Sequence, residues 1–269
     1  MTEKRPMLLL IDAGNTRVKW ACIPIDAPLQ FPATWEAIGS VSHQEMTQLV
    51  QAFSHHHIVR CKISNVAGAE LQQSVDKLLL AQYPELKIEK FSAADTAVGV
   101  QNLYRDPAKL GSDRFASAIA AHHCFPDHDL VVATCGTATT IDAMTAQGDF
   151  LGGMILPGLQ LMASALAKNT AQLPQIALHA DSLDVFATQT DQAIASGCLH
   201  AQIGAMQCAV QRLEHQRGKP VKLIVSGGAA PYLVPQIRKI QQTQKVQQLH
   251  WQEVENLVLT GLWIAAKSS

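Results

Sequence analysis

The stretch Leu8-Leu9-Leu10-Ile11-Asp12-Ala13-Gly14-Asn15-Thr16-Arg17-Val18-Lys19 decides how the rest of the chain is read. Residues 7–11 are apolar without alternation, the pattern of a strand buried on both faces. A turn at Ala13-Gly14-Asn15 follows, and residues 17–23 alternate like a second strand, so a hairpin is expected. Gly and Asn reach positive φ cheaply, which gives that turn a mechanism. Asp12 closes the apolar run, where a carboxylate is costly unless something compensates it. A magnesium ion held through water would do so. Gly14, Asn15 and Thr16 offer small residues and donors for phosphate oxygens, and Lys19 adds positive charge. The same residues also fit a plain hairpin with a solvated Asp12.

Further along, the theme returns. Residues 130–135 form an apolar run, Gly136-Thr137-Ala138 a turn, and residues 139–145 a second strand, with a third at 150–156. Aligning Gly14 with Gly136 lays Leu8-Leu9-Leu10-Ile11-Asp12 over Leu130-Val131-Val132-Ala133-Thr134, which predicts two related lobes. The boundaries expected are 1–110 for a lobe with the first phosphate turn and 111–269 for a lobe with the second. Helices are expected at 43–53, 70–83, 111–124, 159–167, 191–216 and 254–267, and further strands at 59–66, 87–91 and 221–225. Ser112 reads as the N-cap of the helix that follows it. Ser226-Gly227-Gly228-Ala229-Ala230 ends a strand with a close-approach surface suited to an adenosine. Two glycine turns, one per lobe, can clamp a polyphosphate.

Composition removes several classes. The 269 residues are 48% hydrophobic and 16% charged with a net charge of −1, so no basic footprint for nucleic acid exists. No stretch approaches the apolar length of a spanning helix, and the start lacks a signal-peptide pattern; a cytoplasmic protein with no membrane partner is expected. The six cysteines form no CxxC pair and sit mostly among aliphatic residues, as reduced packing thiols do. His55-His56-His57 has no flanking ligand pattern and reads as a solvated loop. Neither GxxxxGK[ST] nor a post-strand GxGxxG is present, which removes the Walker-type and simple dinucleotide fingerprints.

The ensemble resembles the type III pantothenate kinases of the acetate and sugar kinase, Hsp70 and actin superfamily. The residues that carry the resemblance are Asp12-Ala13-Gly14-Asn15-Thr16 with Lys19, Tyr104-Arg105-Asp106-Pro107 and Leu110-Gly111-Ser112-Asp113-Arg114. Gly136-Thr137-Ala138-Thr139-Thr140 and Gly152-Gly153-Met154-Ile155-Leu156-Pro157-Gly158 complete it. The implied fold is α/β: two related lobes of the actin-like ATPase (ribonuclease H-like) type, each a mixed sheet flanked by helices, with a nucleotide cleft between them. The implied reaction is ATP-dependent phosphorylation of pantothenate, the first committed step towards coenzyme A.

By that resemblance, Asp12, Ala13, Gly14, Asn15, Thr16, Arg17, Val18 and Lys19 form the first ATP turn and Thr137 touches ATP in the second. Tyr104, Gly111, Ser112, Asp113 and Arg114 line the pantothenate site, Asp113 is the catalytic base, and Thr190 contacts substrate. Thr190 precedes a long helix, where it could equally be a simple cap. For Asp113, the helix dipole and the neighbouring Arg114 predict a favoured charged form and a weak base. The family often places a monovalent-cation aspartate two residues before the second-turn glycine. Thr134 stands there, which puts a K⁺ or NH₄⁺ requirement in doubt. Gly197, Ala201, Ala205 and Ala209 recur at four-residue spacing, consistent with internal packing or with the homodimer that the resemblance implies. Two alternatives stay open: a regulatory or accessory factor of this fold without turnover, and another small-molecule kinase of the superfamily.

Overall fold

The computed structural model describes residues 5–94, 96–178, 184–243 and 249–268. The chain divides into two compact units, residues 1–124 with 257–269 and residues 125–256. The break falls after Cys124 and not after residue 110. The physical reason lies in the helix that follows residue 111, described below.

In the first unit, β1 (Pro6–Ala13) is the central strand. β2 (Arg17–Pro24) pairs with it antiparallel, and β3 (Ala37–Ser42) pairs antiparallel with β2. A 3₁₀ turn at His43–Glu45 leads into α1 (Met46–Ala52). β4 (His57–Asn65) runs parallel to β1; α2 (Ala69–Gln82) then leads to β5 (Lys87–Phe91), parallel to β4. The sheet order is β3-β2-β1-β4-β5. A short hairpin follows, β6 (Thr96–Ala97) and β7 (Val100–Asn102), and then α3 (Ser112–Cys124).

Alternation along β1 sorts its side chains onto two buried faces. Met7, Leu9, Ile11 and Ala13 pack with Leu49, Phe53, Val75 and Leu79 of α1, α2 and the chain joining α1 to β4. Leu8 and Leu10 pack on the other face with Ala116 of α3 and Leu259, Leu262 and Trp263 of the C-terminal helix, Leu257–Lys267. This two-sided burial explains the unbroken apolar run. It also puts Asp12, two residues beyond Leu10, on the α3 face.

The C-terminal helix is buried from Leu257 to Ala266. A Cβ on its Gly261 would overlap the backbone of Ala116, so this helix and α3 cross with main chains in contact. That crossing is what joins α3 to the first unit.

The second unit repeats the plan. β8 (Asp129–Cys135) is central, with β9 (Ala138–Met144) antiparallel to it and β10 (Asp149–Pro157) antiparallel to β9. After α4 (Leu159–Asn169) and the 28-residue α5 (Thr190–Arg217), β11 (Val221–Ser226) returns parallel to β8. α6 (Ala230–Thr243) and β12 (His250–Glu253), parallel to β11, complete the unit. Its strands run β12-β11-β8-β9-β10, the order and sense of β5-β4-β1-β2-β3. Val131, Ala133, Cys135 and Ile141 pack under Ile194, Leu199, Met206 and Leu213 of α5 and Leu233 of α6.

Candidate active site

In the first unit, the hairpin turn between β1 and β2 closes through Gly14 N–H donating to Arg17 O at 3.1 Å. Neither Gly14 nor Asn15 takes a positive φ, so the left-handed mechanism expected for this turn is not used. The turn is held from outside instead: His43 Nε2 donates to Gly14 O at 2.9 Å, and Arg17 donates from Nε to Ser40 Oγ at 3.1 Å. Asn15, Thr16 and Arg17 are exposed. Ala13 and Val18 are fully buried in the core of the unit, backbone included, and Ala13 O accepts from Val66 N–H at 3.1 Å.

Asp12 is 9% exposed and sits opposite Lys19 on β2 and Ser64 on β4. Burial raises its carboxyl to about 6; Lys19 opposes that rise, and the nearby Asp113 carboxylate adds to it. The two carboxyl groups are thus electrostatic neighbours, brought together from positions about a hundred residues apart in sequence.

Asp113 lies in the first turn of α3. Its Oδ1 accepts from Arg114 N–H at 2.8 Å and folds back over Gly111, where a Cβ would stand 2.6 Å from it. Glycine at 111 therefore permits this carboxylate orientation. Burial raises the Asp113 pKa, against the Arg114 N–H, the Arg114 charge and its own N–H. The dipole and Arg114 had predicted the opposite direction; desolvation outweighs them, and Asp113 is a stronger base than the sequence implies. The N-cap reading of Ser112 is also corrected. Ser112 lies inside α3, with Gly111 O accepting from Phe115 N–H at 3.1 Å, and its hydroxyl meets Ser64 Oγ at 2.7 Å.

Arg114 is buried and donates from Nη1 to Tyr104 OH at 2.8 Å, with its guanidinium 5.5 Å from the centre of the Tyr104 ring. Asn102, itself buried, positions Tyr104 by accepting from its N–H at 3.1 Å and donating to Pro107 O at 3.2 Å. Sequence reading missed Asn102, His43 and Ser64; each is a single polar residue whose role depends on a distant partner, and no local signal marks it.

In the second unit, the corresponding turn closes through Gly136 N–H donating to Ala138 O at 3.0 Å. Gly158 N–H donates to Thr137 O at 2.9 Å, and a Cβ on Gly158 would overlap the Gly136 and Thr137 carbonyls. On the other side Gly227, at φ +98°, lies so close that a Cβ would overlap the Cys135 backbone, while Ala229 N–H donates to Cys135 O at 3.0 Å. The Pro157-Gly158 and Gly227-Gly228 motifs thus brace this turn. Thr137 is exposed. Thr134 and Thr140, register partners on β8 and β9, have buried hydroxyls with no hydrogen-bond partner. Thr190 is the exposed first residue of α5. No cluster of three or more His, Cys, Asp or Glu side chains suited to a metal occurs among the described residues.

The repeated strand plan, with a buried Asp12 opposite Lys19 and Asp113 at the start of α3, defines the class: a two-lobed α/β fold of the actin-like ATPase type, each lobe a mixed sheet flanked by helices. Solved structures agree with the fold. A Campylobacter jejuni protein described as a putative Baf family transcriptional activator aligns over 94% of both chains with a TM-score of 0.55 at 19% identity. A propionate kinase from Francisella tularensis aligns over 97% of this chain and 98% of its own, with a TM-score of 0.51 at 10% identity. Sequence then narrows the class. The type III pantothenate kinase family model matches residues 8–212, and a type III pantothenate kinase of Herminiimonas arsenicoxydans is 50% identical over 97% of each chain. This chain belongs to the type III pantothenate kinase family.

Proposed function

We propose that the protein transfers the γ-phosphoryl group of ATP to the terminal hydroxyl of pantothenate, giving 4'-phosphopantothenate and ADP. The observation that carries this reading is the Asp12–Asp113 pair: two acids close enough in the first unit to feel each other's charge, one on the strand beside Lys19 and one at the start of α3. The pantothenate oxygen forms the new bond to the γ-phosphorus while the bond from that phosphorus to the β,γ-bridging oxygen breaks. Asp113 takes the hydroxyl proton, and its burial suits it to accept one. Arg114 and Tyr104 line the acceptor side, with Gly111 and Ser112; Thr190 contacts substrate.

Residues 12–19 and Thr137 contact ATP. Asp12 fits Mg²⁺ through water: a buried carboxylate left incompletely neutralised by Lys19 gains from a cation. Mg²⁺ characteristically uses one or two carboxylates with substrate phosphates and water. When bound, the ion neutralises charge developing on the phosphate oxygens. At the level of Thr134 two neutral hydroxyls stand where a cation-binding carboxylate would be, so turnover without a K⁺ requirement is the reading favoured here.

The chain works as a cytoplasmic homodimer in this reading. Of the small residues on α5, Ala205 and Ala209 pack into the core of their own unit, while Gly197 and Ala201 are exposed and available to a partner. Light scattering on the purified protein measures the dimer. The test of function is a coupled assay with pantothenate and MgATP: ADP release that requires pantothenate supports the kinase, and its absence from a folded protein overturns it.

A further inference from the structure

The hydroxyl pair Ser64–Ser112 belongs to neither the nucleotide turns nor any helix cap. Ser64 is fully buried near the end of β4, and Ser112 is 8% exposed in the first turn of α3. Their oxygens are 2.7 Å apart, joining segments 48 residues distant in sequence. On β4, alternation puts Cys61 and Ile63 in the core with α1 and α2, and Ser64 on the opposite face with Asp12. Ser64 is the register partner of Asp12, and Ser112 is the chain neighbour of Asp113. The path from one carboxylate to the other therefore passes through one strand pairing, one hydrogen bond and one peptide unit.

The chain just beyond Ser64 is held by hydrogen bonds. Val66 N–H donates to Ala13 O at 3.1 Å, and Asn65 shapes the next turn by donating to Gly68 O at 2.8 Å and accepting from Ala67 N–H at 2.9 Å. α3 is fixed farther along by the Gly261–Ala116 crossing, and Ser112 ties its first turn to β4. The Ser112 hydroxyl points to Ser64, away from any capping role.

We infer that Ser64 is a positioning residue, whose hydrogen bond to Ser112 sets the start of α3, and with it the Asp113 carboxylate, relative to Asp12. The inference rests on the kinase reading above. Positioning errors on the ångström scale cost up to about a hundredfold in rate. Losing one of several constraints should cost less, so Ser64→Ala is expected to lower kcat roughly tenfold while KM for ATP and for pantothenate stay near their original values.

The experiment measures kcat, both KM values and thermal stability for the unmutated chain, Ser64→Ala, Ser64→Cys, Ser112→Ala and the double alanine variant. Positioning through this bond predicts that the double variant is no slower than the worse single one, since one interaction is lost once. Ser64→Cys, a similar volume with a weak S–H donor, should recover part of the rate, and it also replaces Ser64→Ala if that variant does not fold. A Ser64→Ala variant that melts lower but keeps its kcat overturns the assignment and leaves a purely structural serine. Fully additive losses in kcat overturn it as well. An unmutated chain with no pantothenate-dependent turnover overturns the kinase reading and this inference together, whereas normal turnover unaffected by Ser64→Ala overturns the inference alone.

Discussion

The two units carry one strand plan with different chemistry at its working end. In the first, the central strand closes on Asp12 between Lys19 and Ser64; in the second, the matching level holds Thr134 between Thr140 and Ser226. The first is charged, and the second is built from hydroxyls alone. Their turns are braced differently too. Side chains of His43 and Arg17 hold the first, whereas the second is gripped by backbone through Gly158 and Gly227. Duplicated topology thus fixes where a turn appears, and a few side chains decide whether it handles charge.

The most severe break of this contrast is Asp113→Asn, which removes the proton acceptor of the charged unit. Its kcat should fall by roughly 10²–10⁴ with little change in melting temperature, as steady-state kinetics and a thermal scan will show. Normal turnover in that variant would remove Asp113 from the mechanism.

Asp12→Asn tests what the charge costs. Because the folded-state carboxyl is raised to about 6 from an ordinary 3.8, its protonated form is favoured by folding. That contribution is complete below pH 4 or so and is lost as pH rises through about 6. Above that range the ionised Asp12 of the ligand-free protein destabilises it, on the order of 3 kcal/mol at most. Asp12→Asn should therefore be inactive yet more stable than the unmutated chain at pH 7.5, with the difference vanishing near pH 4. Urea melts at the two pH values measure it.

The glycine contrast is next in size. Gly158→Ala or Gly227→Ala should each cost about 1–3 kcal/mol, since the added methyl meets backbone. Gly14→Ala should cost less than about 1 kcal/mol, because its methyl would stand 3.3 Å from Arg17 O at an ordinary φ. Equal losses in denaturant melts would show that the two turns are braced alike after all. The smallest expected effect is the salt one: exchanging K⁺ for Na⁺ leaves turnover unchanged if Thr134 has replaced a cation site, while a sharp loss in Na⁺ would show that the hydroxyls bind K⁺.

Much of this arrangement was legible early. β1 and β8 announce themselves because a strand buried on both faces needs an unbroken apolar run. The long α5 and β5 were equally readable, the latter over the same residues 87–91. α6 was missed because Pro231 and Pro235 argue locally against a helix; Pro231 falls in the first turn, where Pro is tolerated, while Pro235 lies inside the helix, which the core holds through Leu233, Val234 and Ile237. β3 and β12 are edge strands of six and four residues whose pairing, more than their composition, makes them strands.

Sequence alone determined the repeated strand–turn–strand plan, the family, and the candidate acids Asp12 and Asp113, because periodicity and motif spacing are local and survive without coordinates. Only the tertiary structure decided that α3 and the C-terminal helix belong with the first unit, that Ser112 bonds Ser64 instead of capping, and that burial lifts the Asp113 pKa against its helix and its arginine. Each of those depends on which distant groups exclude water from a residue, and solvent exclusion is a property of packing that no single segment carries.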